Sequence, residues 1–175
     1  ENGCEKKVIG VALDGTGYGP DKTVWGGEIM VADFLGYERV GHFKQYLLPG
    51  GDAAIMHPAR MAASCLIAEC GADDAVLRRA LPQLDENECA TLRLVVNRGF
   101  NAPWTSSAGR LFDAVAALCG DDTQISYEGQ AAIRLQTSAE RWHGAAPPFE
   151  GEIDTGHDPF VISFGPAIRQ IVGKR

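Results

Sequence analysis

Near the start of the chain, apolar and polar positions follow the spacing of β-strands. Residues 8–14 are almost all apolar and predict a buried strand. Residues 23–33 predict a second strand, in which Gly26 and Gly27 indicate a bulge or a close backbone approach. Residues 38–48 alternate with a period of two and predict a third strand. Because the connections are short, we expect an antiparallel three-stranded meander.

From residue 52 onward the apolar spacing becomes that of helices. Asp52 is the expected N-cap of a helix that runs to about Glu69, with Pro58 as an irregularity near its first turns. Gly71 is the expected stop of this helix. Further helices are predicted at 72–81, 89–98, 108–119 and 126–142. The second of these follows an Asp85/Glu88 capping box and ends before Gly99. The third is capped by Ser106 or Ser107 and ends before Gly120. The meander is thus followed by a cluster of four to five helices.

The rest of the chain, residues 143–175, predicts a polar surface connection and then a short strand and the start of a helix. The fold class is therefore α+β, or α/β, in one domain: a sheet at 8–48, a helical part at 52–142 and the connection at 143–175. The sequence starts at Glu1, and a helical pattern is still running at its end. We therefore expect a single incomplete domain, a segment of a longer protein.

Composition narrows the function classes. The 175 residues are 45% apolar, and no run of about 18 apolar residues predicts a membrane span. The net charge of −7 argues against a general nucleic-acid surface. The five cysteines include no C-x-x-C pair and predict inert core thiols, so the expected location is the reducing cytoplasm.

The first candidate for chemistry is the glycine-rich stretch Asp14–Gly19 between the first two predicted strands. It lacks the G-x-G-x-x-G spacing of a dinucleotide loop and the G-K-S or G-K-T ending of a Walker A loop. Glycines here would let backbone N–H groups face an anion, Thr16 would add a hydroxyl, and Asp14 would hold a divalent metal or orient a water. A tight hairpin with Asp14 as turn former explains the same pattern.

The second candidate is the predicted helix start at Ser106 and Ser107, because helix N-termini favour anions. Gly109 in the first turn costs roughly 1 kcal/mol of helix stability, which suggests that something approaches the backbone closely. Arg110 and Asp113 lie three residues apart and share a helix face. An ordinary capped helix accounts for the same residues.

The third candidate is Glu128, at the start of the last predicted helix. Its carboxylate would lie near a bound ligand, or would serve only the helix dipole. The four histidines show no metal-binding spacing, so no complete metal site is visible in the sequence.

Four segments considered together are more specific than these separate patterns. They are "VALDGTGYGPDKTVWGGE", "LPGGDAA…HPAR", "NAPWTSSAGRLFDAVAALCG" and "YEGQAA". In this order and spacing they resemble the HypF family, the carbamoyltransferases that mature NiFe hydrogenases. The resemblance runs from about Val8 to Leu135.

The resemblance implies a large multidomain parent. In that family, an acylphosphatase-like domain releases carbamate from carbamoyl phosphate, and a second domain joins carbamate to ATP to give carbamoyl-adenylate. A third domain transfers the carbamoyl group to the C-terminal cysteine of the partner protein HypE. This chain resembles the middle of that third domain, which is similar to tRNA threonylcarbamoyltransferases and has the actin/hexokinase/Hsp70-type ATPase fold.

The resemblance also implies roles for residues, because a glycine-rich hairpin holds phosphates in that fold. Asp14 would be a ligand of a divalent metal, zinc or iron, that residues outside this chain complete. Gly15, Thr16 and Gly17 would lie near the phosphates of ATP or carbamoyl-adenylate. The nucleotide side would be lined by Ser106, Ser107, Gly109, Asp113 and Glu128.

The sequence departs from the family pattern in three places. An upstream histidine element, a downstream "SGG" nucleotide loop and a later metal-binding aspartate are absent. We therefore predict that the chain alone does not catalyse carbamoyl transfer, since a site made from separated segments needs all of them. Its open sheet edge would favour self-association. Two alternatives remain: a non-catalytic partner-binding module, and a small-molecule kinase of the same ATPase fold.

Overall fold

The computed structural model describes residues 6–121, 124–146 and 148–173. These residues form a mixed α/β structure. Its strands are β1 Val8–Tyr18, β2 Val24–Asp33, β3 Gly36–Phe43, β4 Tyr46–Leu47, β5 Trp104–Thr105, β6 Glu152–Asp154 and β7 Phe160–Ser163.

The predicted antiparallel pairing is confirmed for β1, β2 and β3, because β2 pairs antiparallel with both of the others. The third strand predicted at 38–48 is wrong in its extent, because that segment divides into β3 and β4, and β4 pairs with β5. The sheet is larger than predicted, with the order β4-β5-β2-β3-β7-β6 and β1 added on β2. β5 pairs parallel with the start of β2, and β7 pairs parallel with β3. The short strand predicted near the end of the chain is β7, whereas β5 lies in a predicted loop and β6 in the predicted surface connection, and all three join the sheet. The sheet and the helices are not separate parts of the chain.

The prediction that residues 8–14 form a buried strand is wrong about burial. β1 pairs only with β2 in the part of the chain that the structure describes. The side chains of Ile9, Val11 and Leu13 are 76%, 62% and 61% exposed. They share one face because side chains alternate along a strand. An apolar run indicates a strand but does not say whether another layer covers it.

The described residues contain seven helices, more than predicted. They are α1 Asp52–Met56, α2 Pro58–Cys70, α3 Asp74–Ala80, α4 Glu86–Arg98, α5 Ala108–Leu118, α6 Gln130–Glu140 and α7 Gly165–Gly173.

The single helix predicted from Asp52 to Glu69 is two helices. His57 leaves the helical conformation, with φ −128° and ψ 80°, and Pro58 begins α2 at its first position, where its missing N–H costs nothing. Asp52 is not the N-cap either, because Gly51 takes that position and no side chain caps α1.

Other helix boundaries follow the sequence signals. Gly71 and Gly99 end α2 and α4 in the left-handed conformation, and Asp85 with Glu88 forms the predicted capping box. Ser107, rather than Ser106, caps α5 through its hydroxyl, which accepts the backbone N–H of Arg110. These local signals were sufficient because capping involves residues within one turn.

The main hydrophobic core lies between the helices rather than on the first strands. It is built by buried side chains of α1 to α5 and α7, with Tyr46 and Leu48 from the β4 region. Alanines line much of α2 and α5, which pack closely against each other. No helix among the described residues is long and apolar enough to cross a membrane.

Candidate functional site

The stretch Asp14–Gly19 divides into two features. Pairing of β1 with β2 is regular up to Leu13↔Gly27 and resumes at Gly17↔Trp25, so residues 14–16 oppose Gly26 alone and form a bulge. The turn comes later, where Gly19 and Thr23 are joined by a backbone hydrogen bond of 3.0 Å. The bulge, and not the turn, is the part of the hairpin that is held to α5.

Ser107 attaches the start of α5 to this bulge. Its hydroxyl oxygen lies 2.9 Å from the carbonyl oxygen of Asp14 and 2.6 Å from that of Gly15. Its single proton serves these two acceptors, while its lone pair accepts the N–H of Arg110 at 3.1 Å. One side chain thus caps the helix and sets the position of the bulge.

Two glycines let the backbones come this close. A Cβ on Gly109 would lie 2.7 Å from the Cα of Gly15, so the object that approaches the first turn of α5 is the bulge itself. Gly26 has φ +152°, and a Cβ there would meet the Asp14 carbonyl group and would lie 3.1 Å from the Cα of Ser107. The bulge, β2 and the first turn of α5 thus approach one another closely at Gly26 and Gly109.

Arg110 is the largest fully buried side chain of the structure. Its Nη2 donates to Oε1 of Glu128 at 3.0 Å, and its Nε lies 3.3 Å from Oδ2 of Asp113. The same Oε1 accepts the hydroxyl of Thr16 at 3.2 Å. Arg110 and Asp113 are both 1% exposed, whereas Glu128 is 51% exposed, so this cluster runs from the core to the surface beside the bulge.

The Arg110–Asp113 pair is incompletely hydrogen-bonded. Within the described residues, Nη1 of Arg110 and both carboxylate oxygens of Asp113 have no hydrogen-bond partner. Burial raises the pKa of Asp113 to about 6, although Arg110 acts to lower it, and Glu128 adds to the rise. Asp113 therefore carries less than a full negative charge at mildly acidic pH.

Glu28 forms a second buried cluster on β2, which the sequence reading did not identify. Its Oε2 accepts the N–H groups of Gly26 and Gly27 at 2.5 and 2.7 Å. Its Oε1 accepts the hydroxyl of Ser106 at 2.5 Å and Nη2 of Arg39 at 2.8 Å. Glu28 thereby fixes β2 against the segment that leads into α5. The one available signal was a carboxylate in the middle of a strand, directly after two glycines.

Asp14 lies at the surface of the bulge, where its Oδ1 accepts the N–H of Gly15 at 2.6 Å. No group of three or more His, Cys, Asp or Glu side chains with the spacing of a metal site occurs in 6–121, 124–146 and 148–173. Zinc sites use three or four protein ligands, and the metal-ligand role of Asp14 stays a prediction.

Of the eight residues predicted near the phosphates or on the nucleotide side, five meet at the bulge: Gly15, Thr16, Ser107, Gly109 and Glu128. Gly17 lies outside the bulge and pairs with Trp25. Ser106 faces Glu28, and Asp113 lies behind Arg110. Arg110 was noted in the second candidate only for the helix face that it shares with Asp113, and no binding role was predicted for it, although a charged side chain among apolar positions of a helix was a visible signal.

A comparison with protein families decides what this site belongs to. The model of the HypF carbamoyltransferase Kae1-like domain, second subdomain, matches residues 10–175. The chain belongs to this family. The HypF resemblance noted in the sequence is thereby confirmed.

Curated HypF relatives agree with this family. Carbamoyltransferase HypF2 of Cupriavidus necator is 42% identical over 142 residues, which is 81% of this chain and 17% of the relative. Carbamoyltransferase HypF of Rhodobacter capsulatus is 46% identical over 76% of this chain and 18% of the relative. The chain therefore spans less than a fifth of the length of these HypF proteins.

Two solved HypF structures share the fold. Full-length HypF in a phosphate- and nucleotide-bound form superimposes with a TM-score of 0.85 at 36% identity, covering 98% of this chain and 22% of that one. HypF of T. kodakarensis gives a TM-score of 0.74 at 29% identity, covering 95% of this chain and 22% of that one. The described fold is thus that of a HypF segment.

Proposed function

We propose that this chain supplies the phosphate-hairpin side of the carbamoyl-transfer site in an ATP-dependent carbamoyltransferase of hydrogenase maturation. The observation that carries the proposal is the meeting of the β1 bulge with the capped N-terminus of α5, held by Ser107. Backbone N–H groups at a helix start favour anions. A HypF protein of the same fold was solved in a phosphate- and nucleotide-bound form, which supports nucleotide handling by the parent protein.

In the proposed reaction, the bound species is carbamoyl-adenylate, formed from carbamoyl phosphate and ATP elsewhere in the parent. The C-terminal cysteine thiolate of HypE attacks the carbamoyl carbon, the new C–S bond forms, and the bond to the phosphate oxygen breaks to release AMP. The part of this chain is to hold the phosphate end. Thr16 offers a hydroxyl, and Ser107 and Gly109 keep the bulge against α5.

The metal has a limited place in this proposal. Asp14 would add one carboxylate to a zinc or iron site whose other ligands lie outside this chain. A divalent metal there would neutralise charge on the transferring group. We also propose the ATPase-type fold for the whole domain, and this proposal rests on the similarity to HypF.

One observation favours a second candidate, a non-catalytic partner-binding module. The exposed apolar face of β1 offers Ile9, Val11 and Leu13 to another surface. In that case the bulge would be structural. Self-association of the isolated chain would use the backbone edge of β1 that is unpaired among the described residues, rather than this face.

A chimera tests the proposed function. The matching segment of Cupriavidus necator HypF2 is replaced by this chain, and the protein is assayed with carbamoyl phosphate, ATP and HypE. We expect HypE to gain a carbamoyl group on its C-terminal cysteine, detected by intact mass. Hydrolysis of carbamoyl phosphate reports only on the acylphosphatase-like domain, so a thermal melt and limited proteolysis of the chimera are the controls for a folded graft.

A chimera that keeps this hydrolysis and melts like the parent HypF2 but does not modify HypE would refute the proposal. The matched chimera variant carries Ser107→Ala, which removes the contact with Asp14 and Gly15, and should transfer the carbamoyl group at least tenfold more slowly.

The isolated chain gives a separate test. It should show no tight, metal-dependent ATP binding by isothermal titration, and such binding would contradict our view that its site is incomplete.

A further inference from the structure

Glu128 holds a position that is unexpected for a phosphate-binding residue. Its Oε1 accepts two donors at once, the hydroxyl of Thr16 at 3.2 Å and Nη2 of Arg110 at 3.0 Å. A Cβ on Gly15 would collide with the same oxygen, so the carboxylate lies directly on the bulge. A negative group therefore already occupies the donors nearest the proposed phosphate position.

Arg110 has more hydrogen-bonding capacity than this structure uses. Its side chain is 1% exposed, and its Nη1 has no hydrogen-bond partner among the described residues. A buried guanidinium with an unpaired N–H group is costly, because burial removes water without replacing it. Arg110 is also suited to bind two oxygens of one phosphate, which a single carboxylate oxygen does not exploit.

We propose that Thr16 and Arg110 form the binding site for one phosphoryl group, and that the Glu128 carboxylate occupies this site until an anion displaces it. This inference rests on the proposed function, since it names the groups that hold the phosphate. Arg110 is then a binding residue. Glu128 is a competitor of the ligand, not a ligand-binding residue as the sequence suggested.

The structure explains how the exchange would occur. Glu128 is 51% exposed and lies directly before Gly129, the N-cap of α6. Its side chain can therefore rotate away from Arg110 into solvent. Arg110 is held from behind by Asp113 and keeps its place when Glu128 leaves. Phosphate and carboxylate carry the same sign and repel at contact distance, so only one of them fits beside Arg110.

The sign of one substitution tests the inference. Glu128→Gln keeps the shape of the side chain and removes its charge. Inorganic phosphate is titrated into the isotope-labelled chain without divalent metal, and amide NMR shifts of Gly15 to Gly17 are followed. Repulsion between partly exposed charges predicts about fivefold to tenfold tighter phosphate binding by this variant. Glu86→Gln, an equal charge change at an exposed site on α4, is the control and should change nothing.

Two further variants test the donors. Thr16→Val removes the hydroxyl and should weaken phosphate binding several-fold. Adding Arg110→Gln to Glu128→Gln should abolish the gain, with a thermal melt confirming the fold. If that double variant is unfolded, Thr16→Val still decides whether the bulge donors bind phosphate.

Weaker or equal binding by Glu128→Gln overturns the inference and leaves the proposed function standing if the chimera is active. Absence of any phosphate-induced shift at Gly15 to Gly17 in every variant also overturns it. Failure of the proposed function is a separate result, an inactive but folded chimera, and does not depend on Glu128.

Discussion

Replacing Glu28 with glutamine should destabilise the fold more than any surface change. Glu28 is 1% exposed, and its two carboxylate oxygens accept hydrogen bonds from four groups. Glutamine has almost the same shape but only one acceptor oxygen. Whichever way its amide turns, its NH2 group faces other donors, either backbone N–H groups or Arg39.

The magnitude follows from these contacts. A hydrogen bond to a charged group contributes about 1.5–3 kcal/mol, and an unsatisfied buried donor costs about 1–3 kcal/mol. Arg39 keeps its ion pair with Asp21 at 3.1 Å and its place 4.3 Å above the ring of Trp25, which limits the loss. We therefore expect the free energy of unfolding to fall by about 2–4 kcal/mol.

Urea denaturation followed by circular dichroism measures this loss. The midpoint should fall by about 1–2 M for a slope near 2 kcal/mol per M. Glu38→Gln, an exposed carboxylate on β3, is the matched control and should stay within about 0.5 kcal/mol. A double-mutant cycle with Ser106→Ala should give a coupling above about 0.5 kcal/mol. A Glu28→Gln protein as stable as the control would refute our account of the cluster.

Three other substitutions test neighbouring features. Burial raises the pKa of Asp113 from 3.8 to about 6, so its contribution is full below about pH 4 and is lost as pH rises through 6. Relative to Asp113→Asn, the wild type should lose about 3 kcal/mol of unfolding free energy between about pH 4 and pH 7, and a pH-independent difference would contradict the assignment. Gly109→Ala should lower the free energy of unfolding, measured in urea, by about 1–3 kcal/mol, because the new Cβ would meet Gly15. This loss should outweigh the better helix propensity of alanine. Gly10→Ala is the control and should cause no such loss, because a Cβ there meets open space. Asp85→Ala should lower the melting temperature through a loss of about 1 kcal/mol from the capping box, and an unchanged melt would argue against that cap.

Several elements were predictable because their causes are local. The apolar runs and short connections predicted the antiparallel pairing of the first strands, and Gly71 and Gly99 predicted the ends of α2 and α4. The Asp85/Glu88 box is complete within one helical turn. The HypF family could also be recognised, since its motifs are read in order along the chain.

Other features depended on residues far apart in sequence. β5 and β7 join the sheet through pairing with β2 and β3, and a two-residue strand has no periodicity of its own. Burial of β1 was overestimated because apolar content does not reveal which layer covers a strand. Helix count was underestimated because Pro58, treated as an irregularity, begins a new helix.

The candidate site shows the same division. By itself the sequence determined which groups are available: a glycine-rich stretch, a serine cap, and an arginine and carboxylates at set positions. Only the tertiary structure decided their pairing, through contacts such as Ser107 with Gly15 and Glu128 with Thr16, which are 92 and 112 residues apart. Arg110 became a binding candidate only when burial left its guanidinium with Glu128 and Asp113 as partners. Charge and hydrogen-bonding capacity belong to the residue, but desolvation and partner geometry belong to the fold, and those two set what the site can bind.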